Sequence, residues 1–424
     1  MSAHPSPRRP ALRGALAATL AAVLGGTLVS CSDADPAQVS ADQGAQDASV
    51  EERLADLAQR AADEGSLGVV VRVARGTDPP VEIAAQTAWA GDDHRLAVGD
   101  QFRVASNTKT MVATLVLRQV AQDRLGLDDP VEEWLPGTVP GGEDITVRLL
   151  LNHTSGLGDY LLTPEFLPSL TGQEQRAWTP GELLAVTPPP APPGEQYSYS
   201  NANYAALGLI LEEAAGEDLA DLIEREITGP LGMADSFLSS DAGFDPAKPH
   251  AIGYEPDSER LRALLAPIAD LPEGVGFVGP ERPDGNIDTS GIDPSWAGAA
   301  GGMVSTAQDW QRFQTALMSG DLLPEAQMEQ MLTTVAAPEE GGGYGLGLMR
   351  VDSPCGTVWG HTGGHPGYSS EIYTDEGGSR SVAVLTTTNF NVKEPEAAAA
   401  NGALVDAAVC AVLGEPLPEA SPAG

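Results

Sequence analysis

Aromatic side chains are scarce in this chain, 5% of its 424 residues. A core must therefore rest on Ala, Leu and Val rather than on rings. Positive charge is scarce too: 23 basic side chains face 60 acidic ones, for a formal net charge of −37. No Lys/Arg-rich run appears after residue 13. Nucleic acid is thereby excluded as a partner, because binding it requires a basic face that displaces counterions. The acidity itself reads as a solvated, soluble surface. There is no internal repeat. Only three cysteines occur, Cys31, Cys355 and Cys410. With 42% hydrophobic residues, the chain can bury a sizeable core and more than one structural unit.

The N-terminus carries an address. Arg8, Arg9 and Arg13 form a positive region, and Gly14 to Val29 is apolar and uncharged. That run is too short to span a bilayer comfortably and has the flanks of a signal peptide. Leu28-Val29-Ser30-Cys31 resembles the lipobox of bacterial lipoproteins, which implies cleavage before Cys31 and a diacylglycerol on its sulfur. The expectation is an exported protein anchored by lipid to the outer face of the bacterial membrane, each buried acyl CH₂ contributing about 0.8 kcal/mol. Arg8-Arg9 also begins a twin-arginine pattern, which Pro10 and Ala11 fit poorly. In an oxidising compartment Cys355 and Cys410 either bridge, closing a loop of 55 residues worth roughly 4 kcal/mol in the chain-entropy model, or remain as two buried thiols. With Cys31 lipidated, no thiol is left as a nucleophile or zinc ligand.

The expected organisation is a leader over 1–30, a flexible tether over 31–50 rich in Asp, Ala and Gln, an α/β sheet domain over 51–105 and 297–414, a helical domain over 106–296, and a flexible tail over 415–424. Helical spacing marks 50–64 and 110–122. Thr179-Pro180-Gly181-Glu182 reads as a capping box, and 202–228 as a long helical stretch interrupted at Gly216. Short strands are expected over 67–74, 81–90, 346–351, 357–359, 369–373 and 381–388, with a last helix over 394–413. Strands at both ends with helices between them predict an α+β fold: an antiparallel sheet flanked by helices, closed by both termini, with an inserted all-helical domain.

Three short motifs carry chemistry. Ser106-Asn107-Thr108-Lys109 opens a helix, and residues three apart share a face. The Lys109 amine can therefore reach the Ser106 hydroxyl, a poor nucleophile until a partner within hydrogen-bond reach takes its proton. The helix start also favours a developing oxyanion. Tyr199-Ser200-Asn201 follows the rigid run 188–193, rich in proline; a tyrosine beside a lysine can act as the base, and the Asn201 amide suits a peptide-like backbone. In His361-Thr362-Gly363-Gly364 the glycines would let a substrate approach a sheet edge, with the Gly364 and Ser106 N–H groups forming an oxyanion hole. His361 and His365 make no zinc site, because Gly363, Gly364 and Pro366 forbid the helix that would align them. Nothing requires a metal or organic cofactor.

Together, Ser106-x-x-Lys109, Tyr199-x-Asn201 and His361-x-Gly363 resemble the signature motifs of the serine β-lactamase / D-alanyl-D-alanine carboxypeptidase family, on its tyrosine branch. The segments 145–157, Pro230-Leu231-Gly232-Met233, Ser295-Trp296-Ala297, 301–306 and Tyr344-Gly345-Leu346-Gly347-Leu348 fit too. The likeness covers about residues 50 to 414 and is nearest to the secreted actinomycete carboxypeptidases, which also place one cysteine before the third motif and another in the last helix. It implies acyl transfer through Ser106, with Lys109, Tyr199 and His361 as catalytic partners and Asn201, Thr362, Gly364 and Trp296 around the substrate. The implied substrates are D-alanyl-D-alanine-type peptides of peptidoglycan or β-lactams. A small ester or D-amino-acid amide is the alternative, and a non-catalytic wall- or penicillin-binding lipoprotein the third. Two positions depart from that branch. Met349 stands where an arginine binds the substrate carboxylate, with Arg350 expected to face away on a strand, and Gly364 replaces a threonine.

Overall fold

The computed structural model describes residues 36–161, 163–239, 243–266, 271–337 and 342–418. Cys31 and the leader over 1–30 lie outside them, as do residues 419–424 of the tail. Two compact units divide the chain, Met1–Gln46 and Asp47–Gly424. The described part of the first is helical, and the rest of this account concerns the second. Helix α1 is Pro36–Ala61, so residues 36–50, expected to be a flexible tether, are helical instead. Ala and Gln are strong helix formers and proline is tolerated in a first turn; a polar composition was the wrong guide there.

Val-rich β1 (Gly68–Arg75) and β2 (Val81–Gln86) form a hairpin. Six strands from the C-terminal part complete the sheet: β3 (Val335–Ala337), β4 (Gly342–Tyr344), β5 (Met349–Ser353), β6 (Gly356–His365), β7 (Tyr368–Thr374) and β8 (Arg380–Thr386). The antiparallel order is β2-β1-β8-β7-β6-β5-β4-β3, with Val71 opposite both Ile83 and Val384. Side chains alternate across a strand, and this alternation builds two cores. Val69, Val71, Val73, Val382 and Val384 pack with Leu54 and Ala58 of α1 and with Leu404, Ala408 and Val412 from the last helix, Pro395–Leu413. Val70, Ala383 and Leu385 join the opposite core with Trp310 and Phe313. The last helix is long and apolar enough to cross a membrane, yet more than half of its apolar window is buried against the body. Cys355 and Cys410 are bonded to each other, their Cα atoms 5.2 Å apart, which ties the β5–β6 turn to that helix.

The insertion packs α2 (Thr108–Ala121), α3 (Pro180–Ala185) and α4 (Asn201–Ala215) around a core of Leu, Val and Ala. Both bonds of the capping box at Thr179 form, and Gly216 ends α4 in the left-handed region. The insertion is not all-helical. Tyr254–Pro256, Glu281–Arg282 and Asn286–Asp288 make one small antiparallel sheet within it, and its Phe237–Leu238 joins another with Met303–Ser305 and Phe102–Arg103, which lie outside the insertion. Strands of two or three residues are too short to show an alternating pattern.

The third motif is itself strand. β6 runs through His361 to His365 and is an interior strand, not a sheet edge. Its pairing with β5 nevertheless stops at Gly360 opposite Met349, while pairing with β7 continues to His365. Residues 361–365 therefore present a local edge on one side only.

Candidate active site

Ser106 sits in a single 3₁₀ turn, Ala105–Asn107, that leads directly into α2. Ala105 before it has φ 48°, a left-handed conformation that costs a non-glycine residue about 1–3 kcal/mol and persists only where its surroundings enforce it. Here β7 and the helix start supply them. Ser370 Oγ donates to the Val104 carbonyl at 2.8 Å, Asn107 Nδ2 donates to Ser370 Oγ at 2.9 Å, and Thr108 Oγ1 donates to the Ala105 carbonyl at 2.7 Å. Gly363 makes the approach possible: a Cβ there would lie 2.3 Å from the Val104 oxygen and 3.1 Å from Ala105 Cβ. The sequence reading assigned the glycines to a visiting substrate; at Gly363 the close neighbour is the protein's own serine turn.

Lys109 lies one helical step from Ser106 and is fully buried. Its Nζ donates to Ser106 Oγ at 3.0 Å, Asn201 Oδ1 at 2.8 Å and the Ala300 carbonyl at 2.6 Å. Three oxygen acceptors match the three N–H of an ammonium. Nζ also stands 4.9 Å from the centre of the Tyr199 ring. Asn201 begins α4, with Ser200 as N-cap. Both ends of its amide are engaged, since Nδ2 donates to Asp159 Oδ2 at 2.8 Å. In this arrangement Asn201 positions Lys109; the expected contact with a substrate backbone would require it to let go of one partner.

Behind Tyr199 runs a hydrogen-bonded chain whose direction the partners determine. His153 Nδ1 accepts from the Ser200 N–H at 3.2 Å and from Asn203 Nδ2 at 2.9 Å, so Nε2 carries the proton and donates to Tyr344 Oη at 3.2 Å. Tyr344 donates in turn to His361 Nε2 at 2.9 Å, and His361 Nδ1 donates to the Thr362 carbonyl at 2.5 Å. The His153 ring stacks on Tyr199 with centroids 4.3 Å apart. Burial first, and the Lys109 charge second, push His361 down to about 3 and His153 well below its ordinary value, so both rings are neutral. His361, expected among the catalytic groups, is wholly buried, its ring centroid 6.2 Å from that of Tyr199.

These groups open onto a cleft of about 260 Å³ lined by Ser106, Tyr199, Asn201, Thr362, Gly364 and Trp296 among others. The expected residues are thus brought together, with His361 set back. Trp296 lies flat on His365, ring centroids 5.0 Å apart. Met349 also lines the cleft, while Arg350 pairs with Asp352, as strand alternation predicts. Sequence reasoning did not single out Tyr160, Asn389 or Lys393, which also line the cleft, nor the carboxylate of Asp159 behind Asn201. His153 and Tyr344 lay inside quoted segments without an assigned role.

A strained serine turn, a buried lysine on its hydroxyl and a tyrosine in the same cleft define a serine-type acyl-transfer enzyme. The model of the Beta-lactamase family matches residues 52–407, and the chain belongs to that family. Esterase EstB of Burkholderia gladioli is 33% identical over 68% of this chain and 78% of its own. Penicillin-binding protein 4* of Bacillus subtilis is 29% identical over 65% of this chain, which spans only 58% of that protein. Among solved structures, a D-stereospecific amidohydrolase from Streptomyces sp. shares 33% identity with a TM-score of 0.67, covering 81% of this chain and 94% of that one. The protein is a hydrolase of the serine type.

Proposed function

We propose that the protein cleaves amide or ester bonds of D-amino-acid substrates, of the D-alanyl-D-alanine peptide type, through an acyl-enzyme on Ser106. The observation that carries this reading is the buried Lys109 Nζ held 3.0 Å from Ser106 Oγ, behind the cleft that Ser106 and Tyr199 line. Because Lys109 donates to three acceptors, it supplies positive charge rather than a lone pair. Tyr199 acts as a phenolate whose charge Lys109 offsets; it takes the Ser106 proton, becoming a neutral phenol, as Oγ bonds to the substrate carbonyl carbon. The same proton passes to the departing amine or alcohol when its bond breaks. Water repeats the sequence in reverse and frees Ser106. The N–H groups of Ser106 and Gly364 face the oxyanion; losing one such donor costs about 10²–10³ in rate. A strictly esterolytic reading is favoured by the likeness to Esterase EstB and by the apolar Met349 in the cleft.

Incubating the protein with an acyl-D-alanyl-D-alanine peptide tests the proposal. Release of D-alanine by the wild type and none by Ser106→Ala supports it; ester turnover without any D-alanine release selects the esterase. Export, lipid attachment at Cys31 and an oxidised Cys355–Cys410 pair belong to the same reading, supported by the leader pattern and the geometry of the two cysteines. Cys31→Ser should move the protein from the membrane fraction to the medium, and thiol titration of the unfolded mature protein should find no free cysteine.

A further inference from the structure

In a chain with 60 acidic side chains, the described lining of the cleft contains no Asp or Glu. Its one lysine is Lys393, with Lys109 fully buried behind Ser106. Lys109 is committed to Ser106, Asn201 and Ala300. Lys393 stands at the exposed rim, at the end of the short turn Asn391–Lys393, and its Nζ lies 4.5 Å from the centre of the Phe390 ring. Among the described residues it makes no ion pair. The acids near it are already engaged. Glu394 is paired with Arg260 at 2.6 Å. Glu255 is wholly buried and takes hydrogen bonds from the Gly367, Asn389 and Phe390 N–H groups and from Thr388 Oγ1. That carboxylate joins the β6–β7 turn to the segment 388–390, and so anchors the wall that ends in Lys393.

An uncommitted ammonium in a concave site attracts negative charge, and does so against the field of an acidic surface. We propose that Lys393 receives a carboxylate carried by the substrate. The cleft then selects acyl substrates with a free carboxylate next to the scissile group, and Lys393 does from segment 389–393 what no cation does at Met349. The same lining offers no counter-charge to a free ammonium, which disfavours substrates with an unblocked amine. This inference rests on Ser106 acyl transfer and names the substrate class for it.

The test uses one scissile ester that peptidase and esterase alike can open: an acyl-D-alanyl-D-lactate with its carboxylate free, and the same compound as its N-methylamide. The reading is the ratio of the two kcat/KM values. The wild type should favour the free acid, Lys393→Met should lower the ratio about tenfold or more, and Lys393→Arg should keep most of it. A ratio unchanged within twofold in Lys393→Met, or a wild type that prefers the amide, overturns the role of Lys393. Ser106→Ala separates the two layers: if it still turns over both esters, or the wild type opens neither, acyl transfer at Ser106 itself fails.

Discussion

The two walls of the cleft are built on opposite terms. On the serine wall, Ser106, Lys109 and Asn201 are locked by buried hydrogen bonds from the helix start, the 199–201 segment and the Ala300 backbone. On the facing rim, Met349 brings no charge and Lys393 brings one that is not yet paired. The first wall has little freedom to vary without losing the chemistry. The second can exchange a cation between strand and turn and change only what is recognised. On the proposal for Lys393, chemistry and selectivity are separated in space, with Lys393 exposed to solvent and Lys109 enclosed.

Substitutions on the serine wall should therefore have the largest effects. Lys109→Met leaves Asn201 Oδ1 and the Ala300 carbonyl without their donor and removes the charge beside Tyr199. Ester turnover should fall by about 10³-fold or more, within or beyond the span of general acid–base effects, as read by steady-state kinetics on folded protein. Gly363→Ala drives a methyl into the Val104 carbonyl and must separate β6 from the serine turn. A loss of about 10²-fold in kcat, comparable to losing an oxyanion donor, is expected; a variant with wild-type kcat would show that the close approach is not needed.

The buried chain behind Tyr199 predicts a smaller, structural effect. Tyr344→Phe strands His153 Nε2–H and His361 Nε2 in the interior, at a cost of about 1–3 kcal/mol in urea unfolding. Two buried histidines, His361 of that chain and His365 beneath Trp296, predict a pH dependence. His361 and His365 are both pushed down to about 3 by burial, so between 6.5 and 3 the unfolded chain binds protons that the native state refuses. Stability is present above about 6.5 and is lost progressively as the pH falls toward 3. His365→Asn should flatten that slope between pH 7 and 5; an unchanged slope would mean that other groups set it.

What was legible in the sequence was whatever chain-local physics dictates. Ser106 and Lys109 meet because three residues on a helix share a face; Thr179 caps because Glu182 lies three residues on; β1 alternates because one sheet divides two cores. Asp159 beneath Asn201, the His153–Tyr344–His361 chain and the placement of Lys393 join residues tens to hundreds of positions apart, and no periodicity announces such a meeting. The helix from Pro36 and the two- and three-residue strands of the insertion were misread for the opposite reason. Their local signals were present but weak, and composition was allowed to outweigh them.

The central claim is that Ser106 itself becomes acylated. Protein mixed rapidly with a slowly released penicillin or activated ester, quenched in acid and digested, should carry one covalent adduct, on the peptide containing Ser106, with none in Ser106→Ala and much slower formation in Lys109→Met. An adduct on another residue, or full substrate turnover with no adduct at any quench time, would contradict the account.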